Sequence, residues 1–254
     1  MSVQEQQTIA PLTGIGHRTP RLRAVGTQTQ RTPESTLRPS SMPFGNDTPL
    51  DWREEDLVAS DVYVRKGAVL LYRGSPFTAL YVVRSGSCKS VTTTPEGQEQ
   101  IAAFHIAGEI LGAEAIGDRV HDATITALED SEFCAMPFDR VQALAQKSHD
   151  FQRTLHATFA REIRRGRTLA RWLATMRAEQ RLASFLLDLA DRYCARGYSS
   201  REFVLRMSRQ DIGIHLGLSH ETVSRSLSSF HRQSLMRVRG RLLTIIDRKA
   251  LQAL

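Results

Sequence analysis

Residues 208–227, Ser-Arg-Gln-Asp-Ile-Gly-Ile-His-Leu-Gly-Leu-Ser-His-Glu-Thr-Val-Ser-Arg-Ser-Leu, constrain the fold more than any other stretch of this chain. Apolar Ile212, Leu216, Leu218, Val223 and Leu227 recur where two helices crossing at a short turn must touch. Gly213 leaves room for the second helix to approach the first. Gly217 stands where the chain leaves the first helix, a position that favours positive φ and therefore glycine. Ser208 and Ser219 each suit an N-cap, with Asp211 and Thr222 three residues on. The spacing predicts a helix-turn-helix whose second helix runs over about 220–233, with an ordinary helical hairpin as the plainer alternative. Ser219, His220, Glu221, Ser224, Arg225 and Ser228 then lie at the start and on the outer face of that helix. Such a face can reach base edges in a major groove.

Charge is unevenly distributed. Residues 141–254 carry 21 basic and 9 acidic side chains, whereas 51–140 carry 8 and 15, within a formal net charge of +7. The positive field therefore sits at the end that holds the helix-turn-helix, as expected of a surface that displaces counterions from phosphates. A membrane-surface helix explains it less well, because the arginines are spread over several elements instead of lining one amphipathic helix.

At 254 residues the chain is long enough for two domains and a tail. No apolar run approaches the ~20 residues needed to span a bilayer, and the N-terminal residues carry no signal-peptide pattern. Cys88, Cys134 and Cys194 are odd in number and far apart, so they form no disulfide framework. These features point to a reducing cytoplasm.

Four parts follow from the patterning. Residues 1–48, rich in Thr, Gln, Ser, Pro and Arg without period, read as a disordered tail. Residues 49–138 hold short β runs at 62–64, 69–72, 79–83, 87–91, 99–104 and 123–128, punctuated by glycines, which suggests an antiparallel barrel or roll. A helical stretch covers about 139–191, of which 139–177 reads as one long helix that pairs two subunits. Its stripe comprises Leu155, Phe159, Ile163, Gly166, Ala170, Leu173 and Met176 or Arg177. That stripe fits either the chain's own barrel or a second copy, and its length with charged flanks favours the second copy. Residues 178–254 add a strand at 203–207, the helix-turn-helix, and a hairpin of 236–238 and 242–245 around Arg239-Gly240-Arg241. This is a winged variant whose basic tip, with Arg209 at the start of the first helix, suits phosphate contacts. The fold class expected is α+β: a β-roll, a long dimerisation helix and a C-terminal winged helix-turn-helix.

Together these parts resemble the Crp–Fnr superfamily of bacterial transcription regulators, the Fnr branch most of all. The resemblance rests on Leu80–Gly86, Gly97–Ile101, Phe104–Gly108, Glu114–Gly117, Cys134–Phe138, Glu179–Ala183, Arg201–Phe203 and Gly217–Arg225. It implies a homodimer that binds promoter DNA and contacts RNA polymerase, with loops Thr94–Gln98 and Arg196–Arg201 as candidate contacts. Physically, Arg225 can bind guanine bidentately, Glu221 can accept from cytosine, and Ser224 suits either kind of base edge. The resemblance further implies that Glu221, Ser224 and Arg225 read a TTGAT-type palindrome. Glu221 is also where the helix dipole alone favours a carboxylate. Where the family commonly has an apolar residue, this chain has Ser226.

The resemblance also raises ligands. The iron–sulfur cluster of the Fnr sensor needs four cysteines, and residues 1–87 contain none, so no cluster is expected. The family's cyclic-AMP cassette places Glu and Arg-Ser where this chain has Ala113 and Asp122-Ala123-Thr124, so cyclic AMP is not expected either. Among His105, His121, His149 and His156 no spacing singles out a haem ligand. No catalytic relay is expected, because Ser219, His220 and Glu221 are helical neighbours that point apart, and no metal or cofactor is expected, because the chain shows no Gly-rich phosphate loop and no metal-ligand spacing. A dimer that needs no effector fits the seam. The rival reading is an effector-binding module, for haem or a nucleotide, that acts through protein contacts.

Overall fold

The computed structural model describes residues 57, 59–94 and 96–254. The tail expected over 1–48 lies outside them. Glycine-bounded β runs form β1 (Ser60–Val64), β2 (Val69–Leu71), β3 (Ala79–Ser85), β4 (Ser87–Thr93), β5 (Glu99–Ile106), β6 (Ile110–Leu111), β7 (Thr124–Ala127) and β8 (Ser131–Pro137). They pair antiparallel in two four-stranded sheets, ordered β1-β8-β3-β6 and β2-β7-β4-β5. Val83 and Phe133 from the first sheet share a core with Cys88 and Ile125 from the second. Gly86 makes the one-residue crossing from β3 to β4 at φ +86°, where a Cβ would sit 2.3 Å from the Ser131 hydroxyl oxygen.

β6 and β8 are strands that alternation does not announce. Phe133, Cys134, Ala135 and Met136 are all buried, because β8 has an apolar core on each face: Phe133 packs with Val83 and Ile125, whereas Cys134 and Met136 pack with Phe151 and Leu155 of the helical stretch. A strand covered on both faces reads as a continuous apolar run and not as an alternating one.

The helical stretch is not continuous. It divides into α1 (Phe138–Lys147), α2 (His149–Thr175) and α3 (Ala178–Cys194). Ser148 is extended and its hydroxyl accepts the Phe151 N–H at 3.2 Å, so a helix expected to run on from 139 restarts at 149. Met176 and Arg177 are extended as well, and Gln180 takes the Arg177 N–H at 2.8 Å. The first turns of α2 pack on the roll: Phe151 and Leu155 are buried with Leu80, Ile110 and Met136, and Phe159 is partly buried beside them. Leu155 thus belongs to the chain's own core, and the exposed part of the stripe begins at Ile163, which is 58% exposed.

Beyond α3 come β9 (Glu202–Val204), α4 (Arg209–Leu216), α5 (His220–Arg232), β10 (Met236–Arg239), β11 (Leu242–Ile245) and α6 (Arg248–Gln252). The strand expected over 203–207 ends at Val204, because its partner β11 begins at Leu242, opposite Val204. One further bond, from Leu205 N–H to the Arg241 carbonyl at 2.8 Å, closes that edge.

A single core joins the roll to the C-terminal unit: Ile101 and Phe104 of β5 pack with Phe185 and Leu186 of α3, Ile212 and Leu216 of α4, and Phe230 of α5. His215 lies at its centre, its ring edge-on to Phe104 and Phe185 and its Nδ1 2.9 Å from the Ile101 carbonyl. His105 is buried nearby, 2.8 Å from the Ser90 hydroxyl. Burial pushes both imidazoles from 6.5 down to about 4. In the unfolded chain each takes up a proton near 6.5, whereas in the fold each stays neutral until about 4. Their contribution is therefore full above 6.5 and is lost as pH falls toward 4. We expect the Tm to fall steadily over that interval, and a level Tm would contradict it.

Candidate nucleic-acid interface

Local chemistry builds the helix-turn-helix as the spacing predicts. Ser208 caps α4: its hydroxyl accepts the Asp211 N–H at 3.0 Å, while the Asp211 carboxylate takes the Ser208 N–H at 3.0 Å. Gly217 ends α4 in the left-handed region at φ +63°. Gly213 is indispensable for a different reason. The turn folds back so closely that a Cβ there would lie 2.6 Å from the Leu218 carbonyl oxygen. Ser219 then caps α5 by accepting the Thr222 N–H at 3.1 Å.

α5 divides cleanly into two faces. Val223, Ser226, Leu227 and Phe230 are buried against the rest of the unit. Ser226 is thus buried in the core beside Val223, Leu227 and Phe230. On the other side His220, Glu221, Arg225 and Ser228 are exposed and Ser224 is half-buried. Arg209 of α4 donates to the Ser224 hydroxyl at 3.2 Å, which brings both helices to one surface. Arg225 donates to Thr222 at 3.3 Å, and His220 Nδ1, expected to point away from Glu221, instead sits 3.0 Å from its carboxylate, because both exposed side chains are long enough to turn toward each other. The helix N-terminal amide and the Ser219 hydroxyl hold the Glu221 carboxyl below the usual range. Ser228 is turned back onto its own helix, its hydroxyl donating to the Ser224 carbonyl at 2.9 Å. The wing presents exposed Arg239 and Arg241 on either side of Gly240.

Several residues that local pattern does not reveal hold this surface in place. Arg181 of α3 donates to the Leu216 carbonyl at 2.8 Å, at the end of α4. From the roll, Lys89 pairs with Asp211 at 2.6 Å, and Gln100 donates to the Ile214 carbonyl at 3.1 Å. Arg206 meets Glu129 at 3.0 Å. These contacts cross up to 122 positions of sequence, and no periodicity encodes them.

Along α2, Ile163, Gly166, Ala170 and Leu173 are exposed, and Met176 packs against the C-terminal core. A cavity of about 570 Å³ lies between α2 and the roll, lined by Phe159, Glu162 and Ile163 on one side. Opposite them stand Ser90, Thr92, His105, Glu114 and Asp122 among apolar residues, with neither Lys nor Arg in the lining. A cyclic nucleotide phosphate would face three carboxylates there without a cation, so the lining does not fit that ligand. Arg119 is held elsewhere, 5.9 Å from the Phe77 and Phe138 rings. A four-thiolate cluster does not fit either. The chain has three cysteines, with Cys88 and Cys134 buried in the roll and Cys194 exposed on α3. Of the four histidines considered for haem, His105 and His121 are buried, with His121 3.3 Å from Glu114, and His149 and His156 are exposed. No group of three or more His, Cys, Asp or Glu suited to a metal occurs among the described residues, and no helix among them is long and apolar enough to cross a membrane.

Comparison with known proteins agrees with this architecture. Residues 180–254 match the Crp-like helix-turn-helix domain family, and residues 61–148 match the cyclic nucleotide-binding domain family. The chain is 41% identical over 216 residues to the transcriptional regulatory protein btr of Bordetella pertussis, spanning 85% of this chain and 88% of that protein. It is 39% identical over 191 residues to the fumarate and nitrate reduction regulatory protein of Yersinia pestis, 75% of this chain and 76% of that one. The solved structure of FixK2 from Bradyrhizobium japonicum superposes with a TM-score of 0.71 at 31% identity, covering 78% of this chain and 98% of that one.

Two outcomes follow. Gly213→Ala should destabilise the protein by about 1–3 kcal/mol in urea unfolding, since the added methyl forces the turn apart; an unchanged midpoint would refute the close approach. Calorimetry with cyclic AMP should give no micromolar binding isotherm, and a saturable one would overturn the reading of the cavity lining.

Proposed function

Since the chain belongs to the Crp–Fnr family of DNA-binding transcription regulators, we propose that it acts as a homodimer in the bacterial cytoplasm, reading a TTGAT-type palindrome in double-stranded DNA. The carrying observation is the division of α5, whose one face is buried while Glu221, Ser224 and Arg225 share the other. Arg225 supplies the bidentate donor for guanine and Glu221 the acceptor for cytosine N4, with Ser224 between them. Ser219, His220, Ser228, Arg209, Arg239 and Arg241 serve the sugar–phosphate backbone, which positions the reader without specifying sequence.

Pairing runs along α2 through Ile163, Gly166, Ala170 and Leu173, with Phe159 and Met176 at the margins. Leu155 supports the seam from inside the chain's own core. Pairing needs no effector, because none of the stripe residues carries a carboxylate that would repel its copy. The protein works without an iron–sulfur cluster and without cyclic AMP, as the cysteine count and the anionic cavity lining favour. Contact with RNA polymerase involves the loops at 94–98 and 196–201. In the second of these Arg196 is committed to an ion pair with Glu109, at 3.0 Å, so the exposed residues beyond it form the contact.

The cavity beside α2 favours a second reading, in which a small molecule bound there regulates the protein through protein contacts alone. A gel shift on a TTGAT-type palindrome separates the two, because only a DNA reader discriminates it from a scrambled duplex. In that assay Arg225→Ala should cost about 1–3 kcal/mol and relax preference at a single G·C position. Equal weakening on every sequence would remove Arg225 from base reading.

A further inference from the structure

Glu109, between β5 and β6, is 2% exposed and gathers three guanidinium groups on one carboxylate. Its Oε1 accepts from Arg165 at 2.7 Å and Arg192 at 3.0 Å and pairs with Arg196 at 3.0 Å. Its Oε2 accepts from Arg192 at 2.6 Å and from the Ile106 N–H at 3.2 Å. Arg165 belongs to α2, whereas Arg192 is in the last turn of α3 and Arg196 lies just beyond it.

α2 and α3 are joined covalently only through extended Met176 and Arg177. A two-residue joint leaves the angle between two helices free to vary. Trp172 packs the helices together close to that joint. Arg165 and Arg192 lie far from it, roughly 16 and 24 Å along their helices at about 1.5 Å per residue. Beside the apolar core that mounts α3 on β5, an ion-paired attachment at that distance holds α2 and α3 to one angle.

We propose that Glu109 is a positioning residue for DNA recognition. By holding Arg165 of the pairing helix together with Arg192 and Arg196 of the DNA-binding unit, it sets the separation of the two recognition helices and so the half-site spacing that the dimer accepts. This rests on the reading of the protein as a homodimer on a palindrome. Spacing is a sensitive readout, because each inserted base pair moves one half-site by about 3.4 Å and turns it by roughly 35°. A merely structural loss would lower binding to all spacings alike.

The test is equilibrium binding of the full-length protein to palindromes whose central spacer is lengthened or shortened by one and two base pairs, with a single half-site as reference. Wild type should prefer one spacer by about tenfold or more, and Arg165→Met should reduce that preference to about threefold or less. Single half-site affinity and the dimeric mass in sedimentation should stay as in wild type, and Arg165→Lys, which keeps the cation, should restore the preference. Glu109→Gln should flatten the profile in the same way, and Arg165→Met carries the test should that variant fail to fold. An unaltered spacing profile in Arg165→Met overturns the proposal alone, as does a monomeric Arg165→Met, which would assign the arginine to pairing instead. Wild-type protein that binds one half-site as tightly as two overturns the dimeric reading, and the positioning role with it.

Discussion

The apolar joint between β5 and the C-terminal unit supports everything else in this molecule. Phe104 of the roll, Phe185 of α3 and His215 of α4 meet ring to ring, with centroids 5.0 to 5.8 Å apart. Around them Ile101, Leu186, Ile212 and Leu216 complete a core that belongs to neither domain alone. Burying such side chains stabilises by about 1.5–3 kcal/mol each, which makes the joint comparable with a domain interior. The helix-turn-helix is therefore mounted on the roll instead of being tethered to it.

Polar groups turn this adhesive contact into a defined geometry. Hydrophobic burial is non-directional and tolerates sliding. The Lys89–Asp211 pair, the Gln100–Ile214 bond and the His215–Ile101 bond each accept one register only. Glu109 goes further, because a buried carboxylate must keep its partners: breaking such a pair typically costs about 3–5 kcal/mol. Its carboxyl is held at about 2 by Arg192 and Arg165 against the opposing effect of burial. Throughout, the reading face of α5 stays open to solvent, so the mounting orients the recognition surface without covering it.

Much of this was legible in the residues. The caps Ser208 and Ser219, the left-handed Gly217 and the inward set Ile212, Leu216, Val223 and Leu227 stand where spacing puts them. So does the wing around Gly240, and so do most of the roll strands. The misreadings have two causes, tertiary cover for β8 and Leu155 and an overlooked local cap for the long helix. β8 looked unlike a strand because neighbours cover both its faces. The helix expected from 139 breaks at Ser148, where a local cap overrides a continuous apolar period. Leu155 shared its period with Ile163 and Leu173, yet it faces the chain's own roll.

Caps, turns and helical or alternating period act over a few residues, and the order of the chain alone determines them. That order thus specified a winged helix-turn-helix after a glycine-punctuated roll, with the outward residues of its second helix. Which buried group meets which across the fold is another matter. Glu109 and Arg192 are 83 positions apart, and Lys89 and Asp211 are 122 apart. No local signal connects residues so distant, because their pairing depends on the relative placement of domains after the core has closed. The mounting of the reader was decided only by the tertiary structure.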